Sequence, residues 1–134
     1  MTYIADTGFI LCRWSKSAAR RRWSRHFLEK GPLPFITAEA ALMEAGYRLD
    51  VAELAPRLLR DGDYVSALTI GEHAEDLLWL LRKYADLEMD LVDACIVKLF
   101  ELYPEATILT TDRNDFSLYR TRAGERLRCD FAPD

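Results

Sequence analysis

The feature that most restricts the fold is an alternation along the chain. Short apolar or β-branched runs recur at Tyr3–Ala5, Phe35–Ile36, Val65–Ile70, Thr107–Leu109 and, more weakly, Arg126–Phe131. Longer segments with helical character separate them: Ser17–Glu29, Thr37–Leu49, Leu54–Leu59, Glu72–Tyr84 and Leu91–Leu102. Bounded runs of this kind suit strands, and apolar residues recurring three and four apart suit helices. Parallel strands need a long return connection, usually a helix, so the alternation predicts an α/β domain with a mainly parallel sheet. The punctuation agrees. Ser17 and Thr37 are placed to cap the helices that follow them. Gly31-Pro32-Leu33-Pro34 and Asp61-Gly62-Asp63 break the chain, and Pro104 follows the last long helix.

The 134 residues suit a single domain spanning 1–134, and half of them are hydrophobic, enough for a sizeable core. A formal net charge of -4 argues against a protein that coats nucleic acid through bulk positive charge. It leaves a nuclease open, because clustered acids at a metal site make a chain acidic by themselves. Cys12, Cys95 and Cys129 are odd in number and widely spaced, with no zinc-like pattern, and are read as reduced thiols, the first two buried. His26 and His73 belong to no motif with Cys or Ser and are read as surface residues. No apolar run reaches the roughly 18 residues of a membrane span. The N-terminal segment has no basic leader and carries Asp6 inside its apolar run, so a cytoplasmic protein is expected.

In open α/β sheets, sites lie beyond the carboxyl ends of the strands. Asp6 ends the first predicted strand and Asp112 follows the Thr107–Leu109 strand. Taken alone, Asp6 also suits an N-cap for a segment starting at Gly8, and turn chemistry suits Asp115 and, less strongly, Asp112. Glu44 lies among Leu42, Met43, Ala45 and Tyr47, on a helix with one side toward the core, and taken alone it equally suits the solvated polar face of that helix. Asp90 and Asp93 are three apart at a helix start. Asp90 suits the cap, whereas Asp93 sits against Ala94, Ile96 and Val97. Asp115 follows Asp112 by three, and Thr110 and Thr111 can orient a carboxylate. Carboxylates converging without cations repel one another strongly. A hard divalent ion, Mg²⁺ or Mn²⁺, resolves that repulsion, and no soft-ligand set is present. Such a site can polarise a phosphodiester and activate water.

At this point four segments, YIADTGFI, TAEAALMEAGYRL, MDLVDACIV and ILTTDRNDFSLYR, together resemble the PIN domain, and within it the VapC-like toxin ribonucleases of toxin–antitoxin pairs. They span nearly the whole chain; the stretch Ala52–Glu88 carries no family motif. The resemblance implies a three-layer α/β/α sandwich and a metal-dependent endoribonuclease. It implies metal-holding or water-positioning roles for Asp6, Glu44, Asp93 and Asp112, with Asp6 and Asp93 holding the ion most directly. Thr7 and Thr111 would support them by hydrogen bonds, and Asp90 and Asp115 would stand beside the core set. A small antitoxin laid across the active-site groove, and a homodimer, are likewise implied.

Basic residues gather in two places, Arg20, Arg21, Arg22 and Arg25 around Trp23, and Arg113, Arg120, Arg122, Arg126 and Arg128 near the last motif. The first run also suits a solvated helix face. Arg113 and Arg120 flank Asp112 and are the expected RNA contacts, with Tyr119 available to stack on a base. Trp14, Trp23 and Leu77–Leu81 are candidates for apolar contact with a partner, although Leu77–Leu81 also suits a core. Two other readings stay open: a PIN nuclease for RNA processing outside any toxin system, and a PIN-like scaffold that binds RNA or protein without cutting. A dehalogenase-type phosphatase is excluded, since it needs an acid two positions after the first and Asp6 is followed by Thr7-Gly8.

Overall fold

The computed structural model describes residues 1–134. Five short strands, β1 (Tyr3–Ala5), β2 (Phe35–Thr37), β3 (Tyr64–Ser66), β4 (Thr107–Thr110) and β5 (Cys129–Phe131), form one sheet in the order β3-β2-β1-β4-β5. All four pairings are parallel, with Ile4 opposite both Ile36 and Ile108. The helices are α1 (Thr7–Cys12), α2 (Ala18–Lys30), α3 (Glu39–Leu49), α4 (Leu54–Asp61), α5 (Ala74–Lys83), α6 (Leu91–Leu102) and α7 (Arg113–Phe116). The chain moves from β1 outward through β2 to β3, then crosses back to β4 and β5. Crossovers between parallel strands are right-handed almost without exception, so the two directions of travel put helices on opposite faces. The result is a three-layer α/β/α sandwich whose strand order reverses between β1 and β4.

Burial follows from that layering. The central strands are covered on both faces, so Ile4, Ala5, Ile108 and Leu109 are fully buried and read as continuous apolar runs. α6 packs against α5, β1 and β4, and buries seven of its twelve residues. Its one lysine, Lys98, is held by Asp76 at 2.7 Å and Glu101 at 3.6 Å. α2 is held on the sheet by edge-to-face contacts of Trp23 and Phe27 with Phe9, and of Phe27 with Tyr3. Phe9 and Phe27 belong to one cluster of 29 buried residues, against which Tyr3 and Trp23 pack.

Four expected boundaries move. Thr37 does not cap a helix. It ends β2, and its hydroxyl donates to Ala5 O at 2.7 Å, while Ala38 precedes α3 without a side-chain cap. A bond across the sheet outcompetes the local one. The Val65–Ile70 strand is only Tyr64–Ser66, because pairing with β2 ends at Thr37. The helix expected from Glu72 starts at Ala74, after a 3₁₀ turn at Gly71–His73. The last strand shortens to Cys129–Phe131 at the sheet edge. Ser17 does cap α2, its Oγ accepting from Arg20 N–H at 3.2 Å. Cys12 and Cys95 are buried free thiols, as expected. His26 is exposed, whereas His73 is half-buried. No helix is long and apolar enough to cross a membrane.

Candidate metal centre

The reversal between β1 and β4 opens the crevice where ligands of such sheets bind. Asp6 stands at the end of β1, its backbone N–H still donating to Leu109 O of β4 at 3.1 Å. Its Oδ1 accepts from Thr7 N–H at 2.8 Å and caps α1, and its Oδ2 accepts from the Thr110 hydroxyl at 2.7 Å. The capping reading and the site reading of Asp6 are therefore compatible. Burial pushes its carboxyl up to about 6; the bonds from Thr110 and Thr7 oppose this, and the charges of Glu44 and Asp112 add to it.

Thr110 also accepts from Asp112 N–H at 3.1 Å, so one hydroxyl ties the acids at the ends of the two central strands. Asp112 caps α7, its Oδ1 accepting from Asp115 N–H at 3.0 Å. Asp90 caps α6 in the same way, accepting from Asp93 N–H at 2.8 Å. Asp93 stands on the first turn of α6, half-buried. Burial pushes its carboxyl up to about 7, with the charges of Asp90 and Asp6 in the same direction and the hydrogen bond from Tyr119 against it. Burial also raises Asp115, followed by the neighbouring Asp112.

Asp93, Asp112 and Asp115 each present an oxygen within 4.8 Å of the other two. Asp115, carried as a supporting acid, thus sits in the tightest group. Asp6 lies beside it with both oxygens already accepting hydrogen bonds. Glu44, half-buried on α3, is close enough to act on Asp6 but is paired with Arg48 at 3.2 Å. None of Asp6, Asp90, Asp93, Asp112 or Asp115 has a lysine or arginine partner. The donor set is all oxygen, as Mg²⁺ and Mn²⁺ require. Octahedral ligands at about 2.1 Å stand roughly 3–4.2 Å apart, so a small closure of the three carboxylates would fit them around one ion.

Of the supporting residues, Thr7 does bond an acid, while Thr111 and Tyr119 differ from expectation. Thr111 makes no hydrogen bond to an acid. Its side chain lies over Gly8, where a Cβ would collide with it. Thr7 contributes its backbone N–H to Asp6, while its hydroxyl reaches Ala41 O at a long 3.5 Å. Tyr119 is fully buried and cannot stack on a base; its hydroxyl donates to Asp93 Oδ2 at 2.9 Å. Nothing local in the sequence signals that bond, because its partners are 26 residues apart.

Of the second arginine group, Arg113 lies exposed over the Phe131 ring, 4.6 Å from its centroid, and Arg120 is half-buried without an ion pair. Arg122 pairs with Asp76 at 3.0 Å, and Arg128 donates to Pro104 O and Ala106 O before the start of β4, away from the acids. Leu77 and Leu80 are core, and Trp23 of α2 packs against Phe9 of α1, leaving Trp14 and Leu78 exposed. The larger cavities lie elsewhere. One of about 550 Å³ is lined by the already paired Lys98, Asp76 and Arg122, and an apolar groove of about 480 Å³ lies between Met43, Ile70 and Leu91.

Fold and site together define an α/β/α sandwich with an uncompensated acidic cluster at its topological switch point. No protein-family model and no curated protein matches the chain.

Proposed function

We propose that the protein is a Mg²⁺- or Mn²⁺-dependent endoribonuclease of the PIN type, acting as the toxin of a VapBC-like pair. The observation that carries this reading is the convergence of Asp93, Asp112 and Asp115, with Asp6 and Glu44 beside them, at the crevice between β1 and β4. Choice of RNA, of an antitoxin partner and of a homodimer comes from the resemblance of the four acid-bearing segments to that family.

The bound cation supplies Lewis acidity toward the phosphodiester and makes water a better nucleophile. Asp93, Asp112 and Asp115 would hold it. In the metal-free protein burial pushes the carboxyls of Asp6 and Asp93 up to about 6 and about 7, so holding the cation near neutral pH would displace protons from them. Tyr119 and Thr110 fix the carboxylates they donate to. Arg113 and Arg120 would meet backbone phosphates beside Asp112.

The test is incubation of a mixed structured-RNA pool, and of DNA, with wild type and Asp93→Asn, in Mg²⁺ or Mn²⁺ and in EDTA. RNA cutting that needs both the metal and Asp93 is expected. RNA binding without cutting, by folded protein freed of any antitoxin, would favour the non-cleaving scaffold. Repeated recovery from the native host without a small partner would favour an RNA-processing nuclease outside a toxin system.

A further inference from the structure

Residues 13–30 hold seven of the eighteen Lys and Arg and one of the twenty-two Asp and Glu, a net charge of +6 against -10 for the rest of the chain. None of these seven cations forms an ion pair, whereas Arg48, Arg57, Arg60, Lys98 and Arg122 all do. Their orientation is set by packing. Phe27 and Ser24 are buried and Trp23 is held against Phe9, so α2 has one side locked to the core while Arg22 and Arg25 stand in solvent. Arg13, Arg21 and Arg25 meet around a recess of about 370 Å³ that Glu29 and Asp63 also line, and the guanidinium of Arg13 lies 5.4 Å from the exposed Trp14 ring.

This face is connected to the acid cluster. Arg20 Nε donates to Pro133 O at 3.1 Å and Trp23 Nε1 to Asp130 Oδ1 at 3.1 Å, which seats α2 beside the carboxyl end of β5. Phe131 of that strand lies under Arg113, the residue after Asp112. Arg113 and Arg20 thus both reach the end of β5, where Asp130 is also exposed, and Arg22 and Arg25 follow on α2.

We infer that this face of α2, with Arg13 and Lys16 before it, is a track for the phosphate backbone of the RNA that reaches the acid cluster. The inference rests on the ribonuclease reading. A phosphate polymer is repelled by the carboxylates that cut it, so it must be held by cations on either side of them. Lys16, Arg22 and Arg25 face water with no side-chain hydrogen bond and give up no internal partner on meeting phosphate, whereas Arg20 and Arg21 already donate to Pro133 O and Ser15 O; Trp14 offers a π-face to a base. Continuity with the cutting site favours RNA over an acidic protein segment.

The test uses Lys16→Gln, Arg22→Gln and Arg25→Gln together, all exposed and free of side-chain hydrogen bonds, in an Asp93→Asn background that cannot cut. Arg57→Gln, Arg60→Gln and Lys83→Gln together, on α4 and α5, match the charge change elsewhere. The probe is a short labelled mixed-sequence single-stranded RNA, titrated over a range of salt. Loss of three phosphate contacts weakens binding by at least about tenfold at low salt and reduces the slope of log K against log salt by about 2, while the matched variant binds as the parent does. Equal loss in both triple variants, or none in the first, overturns the track. So does unchanged RNA binding with weakened binding of a poly-glutamate peptide, which would give the face to an acidic protein. Metal-dependent cutting by the wild type is scored separately. Normal cutting with an indifferent α2 removes the track alone, and RNA held by α2 but never cut removes the nuclease reading alone.

Discussion

Asp93 and Tyr119 are 26 residues apart in sequence and joined by a 2.9 Å hydrogen bond. Asp6, Asp93 and Asp112 are legible as candidates in the sequence, because an acid at a strand end or amid Ala94, Ile96 and Val97 needs a reason. Asp115's place in the tightest group is not, since its position suits turn chemistry as well, nor is the pairing of Glu44 with Arg48. The supports of the acids are not legible either, since a threonine or tyrosine hydroxyl finds its partner only through the sheet order. Tyr119→Phe keeps the ring's contacts with Tyr84 and Phe116 and removes only the donor. It should weaken Mn²⁺ binding by about 10–100-fold, as loss of a carboxylate's outer hydrogen-bond partner does, while metal-free stability falls by about 1–2 kcal/mol. Manganese titration and urea unfolding in EDTA check the two parts. The raised carboxyls also set a pH dependence. In the fold, Asp6 and Asp93 keep their protons up to about 6 and about 7; the unfolded chain releases them near about 4. Across that window the folded state binds more protons, so metal-free stability contributed by these groups falls as pH rises and levels off above about 7. In EDTA the wild type should lose stability relative to Asp93→Asn through this window, and at pH 8 the variant should be the more stable. A wild type that gains on the variant as pH rises contradicts the account.

At the scale of elements, the long helices and the central strands were legible, and α6 fell on its expected bounds. The errors came where tertiary bonds override local signals, as at Thr37, or where pairing stops before the β-branched pattern does, as after Ser66. α1 was visible only as the capping option for Asp6. Its first turn is where β1 meets β4, and Gly8 is required there because Thr111 occupies the space a side chain would take. Gly8→Ala should displace Thr111, and with it the neighbouring Asp112. The expected cost is about 1–3 kcal/mol of stability, as for other overpacked sites, with a larger loss of metal-dependent cutting than stability alone explains. Urea unfolding and cleavage at matched folded fraction separate the two effects.

For the whole molecule, the α/β class followed from the alternation of runs, but the order β3-β2-β1-β4-β5 did not. Strands of three or four residues carry too little pattern to choose their neighbours, and the order is set by crossover handedness and by burial of α6 against β1 and β4. That order makes the candidate site, since it places the ends of β1 and β4 side by side and leaves five acids without a cation. A divalent ion is what would complete the fold there. The deciding measurement is calorimetric titration of Mn²⁺ into wild type, Asp93→Asn and Asp112→Asn near pH 7, repeated in buffers of different ionisation enthalpy. The account predicts saturable binding to the wild type with proton release, from carboxyls that stand at about 6 and about 7, and binding weakened by at least about tenfold in both variants. Absence of binding, or equal binding by all three proteins, would contradict it.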